Sequence, residues 1–226
     1  MIVIFNLNYS FLWRVMMVGS NILTSTLDLV SQSLQIPVII FLLLFAVAAI
    51  ILLGGLIREY QHRKTVSNVE MKNLINSISN ANSKDEILNI ISNSEIPNSM
   101  KNDLREITDT DLDIESRIAL AKKLVNSREK KLEKRLSYTD IITRIGPTLG
   151  LMGTLIPMGP GLAALGSGDI VTLSNAIIVA FDTTVVGIGA GALAYVISKI
   201  RRRWYSEYIA NIDVLTDVVL TRIGKL

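Results

Sequence analysis

The chain has 226 residues, of which 50% are hydrophobic and only 19% are charged. A soluble domain usually carries about 25% charged residues, so this composition predicts an integral membrane protein. The absence of cysteine and the presence of a single histidine exclude disulfide scaffolds, zinc clusters and most histidine-based catalysis. We therefore expect a protein that is not an enzyme and has neither a metal site nor a cofactor. The net charge of +3 reflects local lysine and arginine clusters, which in a membrane protein report topology rather than nucleic-acid binding.

Residues 1–36 precede the first long apolar stretch and mix apolar with polar side chains. Apolar residues such as Phe11, Leu12 and Val15 share this segment with asparagine, serine, threonine and Asp28. This mixture indicates a helix that lies at the outer membrane interface. The alternative is a further membrane span through residues 1–23.

Residues 37–57 contain 21 residues without a charge. At 1.5 Å per residue, a helix of this length crosses the roughly 30 Å hydrocarbon core of a bilayer. The stretch therefore predicts the first transmembrane helix.

Lysine and arginine are distributed asymmetrically around the apolar stretches. Fifteen of the 23 lie in residues 58–135, six more follow Val196, and residues 164–169 contain none. Since cytoplasmic loops are enriched in these residues, we expect residues 58–140 and the tail 199–226 to be cytoplasmic and the N-terminus to lie outside.

The segment 58–140 carries helix-start signals that predict a folded cytoplasmic helical domain. Ser83 followed by Glu86 is typical of a capping box, and Pro97 is typical of a helix start. From Asp113 onward, apolar residues keep helical spacing without a break into the next apolar stretch. We expect one long helix to leave the membrane there.

Residues 141–165 and 170–198 predict the second and third transmembrane helices. Pro157 and Pro160 are expected to end the regular second helix near residue 157 on the outer side.

The tail 199–226 has the spacing of an amphipathic cytoplasmic helix, and its arginines beside a tryptophan are typical of a membrane-lipid anchor. The expected fold is an all-α membrane protein with three spans, N-terminus out and C-terminus in.

Two segments, 145–168 and 180–195, resemble the second and third transmembrane helices of the MotA/TolQ/ExbB proton channel family, and the variants PMGPG and FDTT are most similar to archaeal members. The matching residues are Gly146-Pro147, Leu149-Gly150-Leu151, Gly153-Thr154, Thr184 with Gly187, and Ala194-Tyr195.

The resemblance implies a pentamer in the cell membrane that acts as a stator or energy-transducing motor. Two copies of a single-span ExbD/TolR/MotB-like partner, each with a transmembrane aspartate, would occupy its central channel. The transported ion would be a proton or sodium. Thr154 and Thr184 match the hydroxyl residues of the family's ion path.

Small residues follow one face of the third span, and others lie in the second span. In lipid, such stripes mark places where helix backbones approach closely. We interpret them as helix-packing or pore-lining positions, with packing inside one subunit as the simpler alternative, and expect Pro147 and Pro157 to act as hinges. The positions are Gly150, Gly153, Ala180, Gly187, Gly191 and Ala194.

Asp182 lies near the middle of the third span, where an ionised carboxylate costs ~2.5–3.5 kcal/mol. It is about 200° around the helix from Thr184, so the two cannot line one surface. Asp182 shares its face with Asn175 and Gly189, and we expect that face to meet another helix, of its own chain or of a neighbour. Asp182 is either part of the ion path or a structural, hydrogen-bonded residue.

The residues alone are also compatible with two other functions. One is an autonomous channel or transporter that uses Asp182 itself as the ion site. The other is an inert membrane scaffold.

Overall fold

The computed structural model describes residues 2–64 and 66–226, with side chains described from residue 22 onward. All regular secondary structure in this part of the chain is helical, which confirms the all-α fold class. The helices are α1 (Ile2–His62), α2 (Asn68–Asn80), α3 (Lys84–Asn93), α4 (Asn98–Asp109), α5 (Ile114–Gly166) and α6 (Ile170–Ile223).

Three of these helices, α1, α5 and α6, are long and apolar enough to cross a membrane. They contain the three predicted spans, so the number of candidate membrane-crossing helices among the described residues agrees with the prediction. Their orientation across the membrane stays a prediction.

The helix α1 continues without interruption through Pro37. Residues 2–36 therefore form one helix with the first apolar stretch. The side chains of residues 1–21 lie outside the described residues, and the interfacial position predicted from Phe11, Leu12 and Val15 stays a prediction.

The helix α5 passes through Pro147, Pro157 and Pro160 and ends only at Gly166. The prediction that it ends near residue 157 is wrong. A proline removes one backbone hydrogen bond, but in a membrane helix no water competes for the freed groups and neighbouring groups satisfy them. The helix therefore tolerates these prolines.

The turn between α5 and α6 is short and locally determined. Gly168 has a φ of +82°, a conformation that favours glycine. Asp169 accepts hydrogen bonds from the backbone N–H of Thr172 at 3.0 Å and from its hydroxyl at 2.5 Å. These bonds lower the pKa of Asp169, and they satisfy a backbone donor in the first turn of α6.

The chain divides into two compact units. The first consists of residues 1–49 and 142–192, and the second of residues 50–141 and 193–226. In the first unit, Val38 and Leu42 of α1 pack with Ile156 of α5. The second unit contains α2, α3 and α4 and has a larger apolar core, whose fully buried members include Ile78, Ile87, Ile91, Leu104, Ile107, Ile212, Leu215 and Val219.

The helix starts predicted in the second unit are confirmed. Ser83 caps α3 and accepts a hydrogen bond from the backbone of Glu86, although the Glu86 carboxylate accepts from the backbone of Asn82 rather than from Ser83. Pro97 stands at the N-cap of α4. A full capping box, which the sequence analysis missed, joins Ser67 and Glu70 at the start of α2.

Two sets of polar contacts made by arginines of α5 join it to α4 and the loop that follows α4 in the second unit. Arg128 donates to both carboxylate oxygens of the buried Asp103, at 2.5 and 2.8 Å. The buried Arg117 donates to backbone carbonyls at and after the end of α4, including that of Thr108 at 2.9 Å. Such charge-assisted bonds satisfy carbonyls that a helix end leaves unpaired.

Candidate functional site

Glycines hold α5 and α6 in direct backbone contact in the first unit. A methyl group added at Gly187 would lie 2.7 Å from the carbonyl oxygen of Gly146 and 2.8 Å from Cα of Gly150. One added at Gly191 would lie 2.8 Å from the ring of Pro147. Side chains larger than hydrogen at Gly187 and Gly191 would force the two helices apart.

The other predicted small positions are also buried. Gly153 faces Thr183, and a methyl group added at Gly153 would lie 2.6 Å from Cβ of that threonine. Ala180 and Ala194 have exposed fractions of 7% and 0%. The structure thus brings Gly150, Gly153, Gly187 and Gly191 into a helix contact inside one chain.

Thr154 and Thr184 lie at a similar level along the two helices, because their neighbours Gly153 and Thr183 touch. Both threonines are half-buried. The Thr154 hydroxyl donates to the carbonyl of Leu151 at 2.7 Å, and the Thr184 hydroxyl donates to that of Ala180 at 3.0 Å. Each hydroxyl oxygen keeps lone pairs with which it can accept a proton or coordinate a cation.

Thr183 is a site neighbour that the sequence analysis missed. It has an exposed fraction of 7%, and its hydroxyl donates to the carbonyls of Val179 and Ala180 at 2.9 and 3.0 Å. The only signal in the sequence is the pair of adjacent threonines. Which of the two packs against Gly153 depends on how the helices are rotated against each other.

Asp182 is exposed within the described part of the chain. No described side chain donates a hydrogen bond to its carboxylate. Asn175 and Gly189, on the same face, are exposed as well, and a methyl group added at Gly189 would meet nothing within 4 Å. The structure therefore does not place a described helix of the same chain against this face.

The two predicted hinge prolines lie in the first unit. Pro147 packs against Gly191, and Pro157 is buried. Both stand inside a continuous α5, and their action as hinges stays a prediction.

The arrangement places oxygen-bearing side chains in two apolar helices. The threonine hydroxyls and the carboxylate suit transient contact with a proton or a small cation. Among the described residues, no group of three or more histidine, cysteine, aspartate or glutamate residues could hold a metal ion.

Comparisons with known proteins give one family. No curated protein matches the chain. The model of the MotA/TolQ/ExbB proton channel family matches residues 91–214, which is more than half of the chain. The matched range contains all of α5 and the part of α6 that carries Asp182 and Thr184. The chain therefore belongs to the MotA/TolQ/ExbB proton channel family.

Proposed function

We propose that this protein is the channel-forming subunit of a motor in the cell membrane that is driven by an ion gradient. It acts as a pentamer around two copies of a single-span partner of the ExbD/TolR/MotB type. The observation that carries this proposal is the family match over residues 91–214. This range includes α5 and most of α6, the two helices that place Thr154, Asp182 and Thr184 inside apolar stretches.

In this proposal Thr154 and Thr184 line the central channel at one level. Their hydroxyl oxygens face the aspartate of the partner, which takes up a proton or sodium ion on one side of the membrane and releases it on the other. Ion flow down the gradient then rotates the pentamer around the partner pair.

The proposed orientation follows from charge. The second unit contains most of the lysine and arginine residues, and the positive-inside rule assigns it to the cytoplasm. The turn at residues 164–169, which has no basic residue, then lies outside.

The exposed face of Asp182 supports an oligomer. A carboxylate exposed to hydrocarbon would cost ~2.5–3.5 kcal/mol, and the described part of the chain leaves Asp182 uncovered. In the pentamer, a neighbouring subunit covers this face and supplies polar groups or water to the carboxylate.

The test is to express the chain with and without the single-span protein that co-purifies with it. We expect native mass spectrometry to give five copies of this chain and two of the partner. In liposomes that contain a pH-sensitive or sodium-sensitive dye, the complex should conduct and the chain alone should conduct little. A complex without a fixed stoichiometry would contradict the proposal.

A second candidate is an autonomous channel or transporter, favoured by the carboxylate of Asp182, which pairs with no described residue. The same liposome experiment distinguishes the two functions. Full ion flux from the chain alone, abolished by Asp182→Asn, would favour the autonomous channel.

A further inference from the structure

The second unit contains a cavity of about 380 Å³ that the proposed ion path does not use. Four parts of the chain form its wall. They are the residues after the apolar stretch of α1, the start of α4, one face of α5 and the part of α6 around Trp204. Cavities of this volume are typical of small-molecule sites. The cavity is thus large enough for a ligand.

The cavity wall has an excess of positive charge. It contains five lysine and arginine residues and two glutamates. Both glutamates are already paired, Glu207 with Arg63 at 2.6 Å and Glu59 with Arg201 at 3.1 Å. Lys131 and Arg135, one helical turn apart on α5, form no ion pair with any described residue. An anion in the cavity would therefore meet cations that no carboxylate neutralises.

A buried hydroxyl group also points to a ligand. Tyr205 lines the cavity and has an exposed fraction of 7%. Its hydroxyl oxygen makes no hydrogen bond of good geometry with a described residue, although the Glu59 carboxylate and the Arg135 guanidinium group are its charged neighbours. Buried polar groups are almost always paired, so an acceptor in the cavity would complete this site.

One part of the wall is apolar and aromatic. Trp204 stacks on Tyr60 with ring centroids 6.1 Å apart, and the guanidinium group of Arg63 lies 5.0 Å from the Trp204 ring. Met100 and Leu132 add aliphatic surface. A ligand that fits this wall has an anionic group and an apolar portion.

The position of the cavity along the chain corresponds to the edge of the membrane. Glu59 follows the apolar stretch 37–57 by two residues, and Trp204 follows the stretch 170–198 by six. At 1.5 Å per residue these are distances of up to about 9 Å. Arg135 and Lys131 precede the stretch 141–165 by six and ten residues, which is about 9 and 15 Å, and their long side chains can reach back toward a lipid headgroup.

We propose that this cavity binds a phosphate group attached to an apolar portion, and that the headgroup of an anionic phospholipid is its source. Lys131 and Arg135 neutralise the phosphate, the hydroxyl of Tyr205 donates to one of its oxygens, and the apolar part lies against Trp204. This site is independent of the ion path in the first unit.

The experiment uses the full chain in lipid nanodiscs with Trp13→Phe, which leaves Trp204 as the only tryptophan. One arm varies the fraction of phosphatidylglycerol in phosphatidylcholine. The other adds sodium phosphate to pure phosphatidylcholine discs at constant ionic strength. We expect the emission of Trp204 to change and saturate with phosphatidylglycerol.

The double variant Lys131→Gln and Arg135→Gln should need at least about tenfold more phosphatidylglycerol for the same change, because each lost charge-assisted bond is worth a factor of ten or more. The matched control is Lys130→Gln and Lys134→Gln, which removes the same charge from α5 outside this cavity and should leave the titration unchanged.

The Trp204 emission could also change with both phosphatidylglycerol and sodium phosphate, and both changes could weaken in the double variant. That result would support the phosphate site and show that it binds a soluble phosphate as well as a lipid. No response in either arm would overturn the proposal. An equal loss in the double variant and in its control would overturn it too, because the effect would then reflect general surface charge. Equal unfolding temperatures of the variants serve as the check on folding.

Discussion

Thr154 and Thr184 lie inside the range that the family model matches and at a similar level on α5 and α6. Both hydroxyls donate to a carbonyl of their own helix, a bond that threonine makes in many membrane helices. Their distinctive property is the shared level on two helices in contact. In the proposed channel, an ion at this depth would meet both hydroxyls.

We predict that Thr154→Val and Thr184→Val each lower partner-dependent ion flux at least about tenfold, because valine keeps the shape and removes an oxygen ligand. The control is Thr148→Val on α5, whose hydroxyl likewise donates to its own helix, at 2.7 Å to Ile145. Flux is measured in liposomes with the complex assembled. Full flux in the double valine variant would assign both residues to packing.

Asp182 differs from the threonines because its carboxylate is exposed and forms no hydrogen bond or ion pair with a described residue. We predict that Asp182→Asn suppresses ion flux while the oligomer stays intact, since the amide has the same shape but cannot carry the charge. Ion flux and thermal stability are measured on the same samples, with the partner present.

Asp182→Leu separates the two interpretations of this residue. A purely structural aspartate would give normal flux in the asparagine variant and a loss of stability only in the leucine variant, because leucine leaves a hydrogen-bond partner on a neighbouring subunit unsatisfied. That pattern would remove Asp182 from the ion path.

At the scale of elements, the contact between α5 and α6 depends on glycine rather than on interlocking large side chains. We predict that Gly187→Ala destabilises the protein by about 1–3 kcal/mol, the usual cost of overpacking, because the added methyl group meets the α5 backbone at 2.7 Å. Thermal unfolding in detergent provides the measurement.

Gly159→Ala is the matched control on α5, since a methyl group there meets nothing within 4 Å. It should be neutral or slightly stabilising, because alanine favours a helix more than glycine does. If both variants lowered stability equally, the close backbone contact would not be the cause.

At the scale of the whole molecule, the predicted pentamer can be tested through the uncovered face of α6. The chain has no cysteine, so Gly189→Cys provides a unique site for a spin label on the face of Asp182. A closed ring of five gives two inter-label distances, between adjacent and next-adjacent subunits. A single distance, or none, in bilayers would contradict the pentamer and the mechanism that depends on it.

Several features of this protein follow from the sequence alone. The three helices that are long and apolar enough to cross a membrane were predictable, because apolar length and absence of charge are local properties of a segment. The starts of α3 and α4 at Ser83 and Pro97 were predictable for the same reason, since a cap acts on the backbone of its own first turn. The glycines and threonines of α5 and α6 carry the family resemblance that the family model confirms.

Only the tertiary structure decided which faces of the helices meet. The rotation and sliding of α5 against α6 placed Thr183 on Gly153 and Gly187 on Gly146, and left Asp182 uncovered. The same context carried α5 through Pro157 and Pro160, where the local rule for proline predicts an end. The physical reason is that these outcomes depend on contacts between residues about 30 or more positions apart and on the surroundings of the helix, which no single segment of sequence contains.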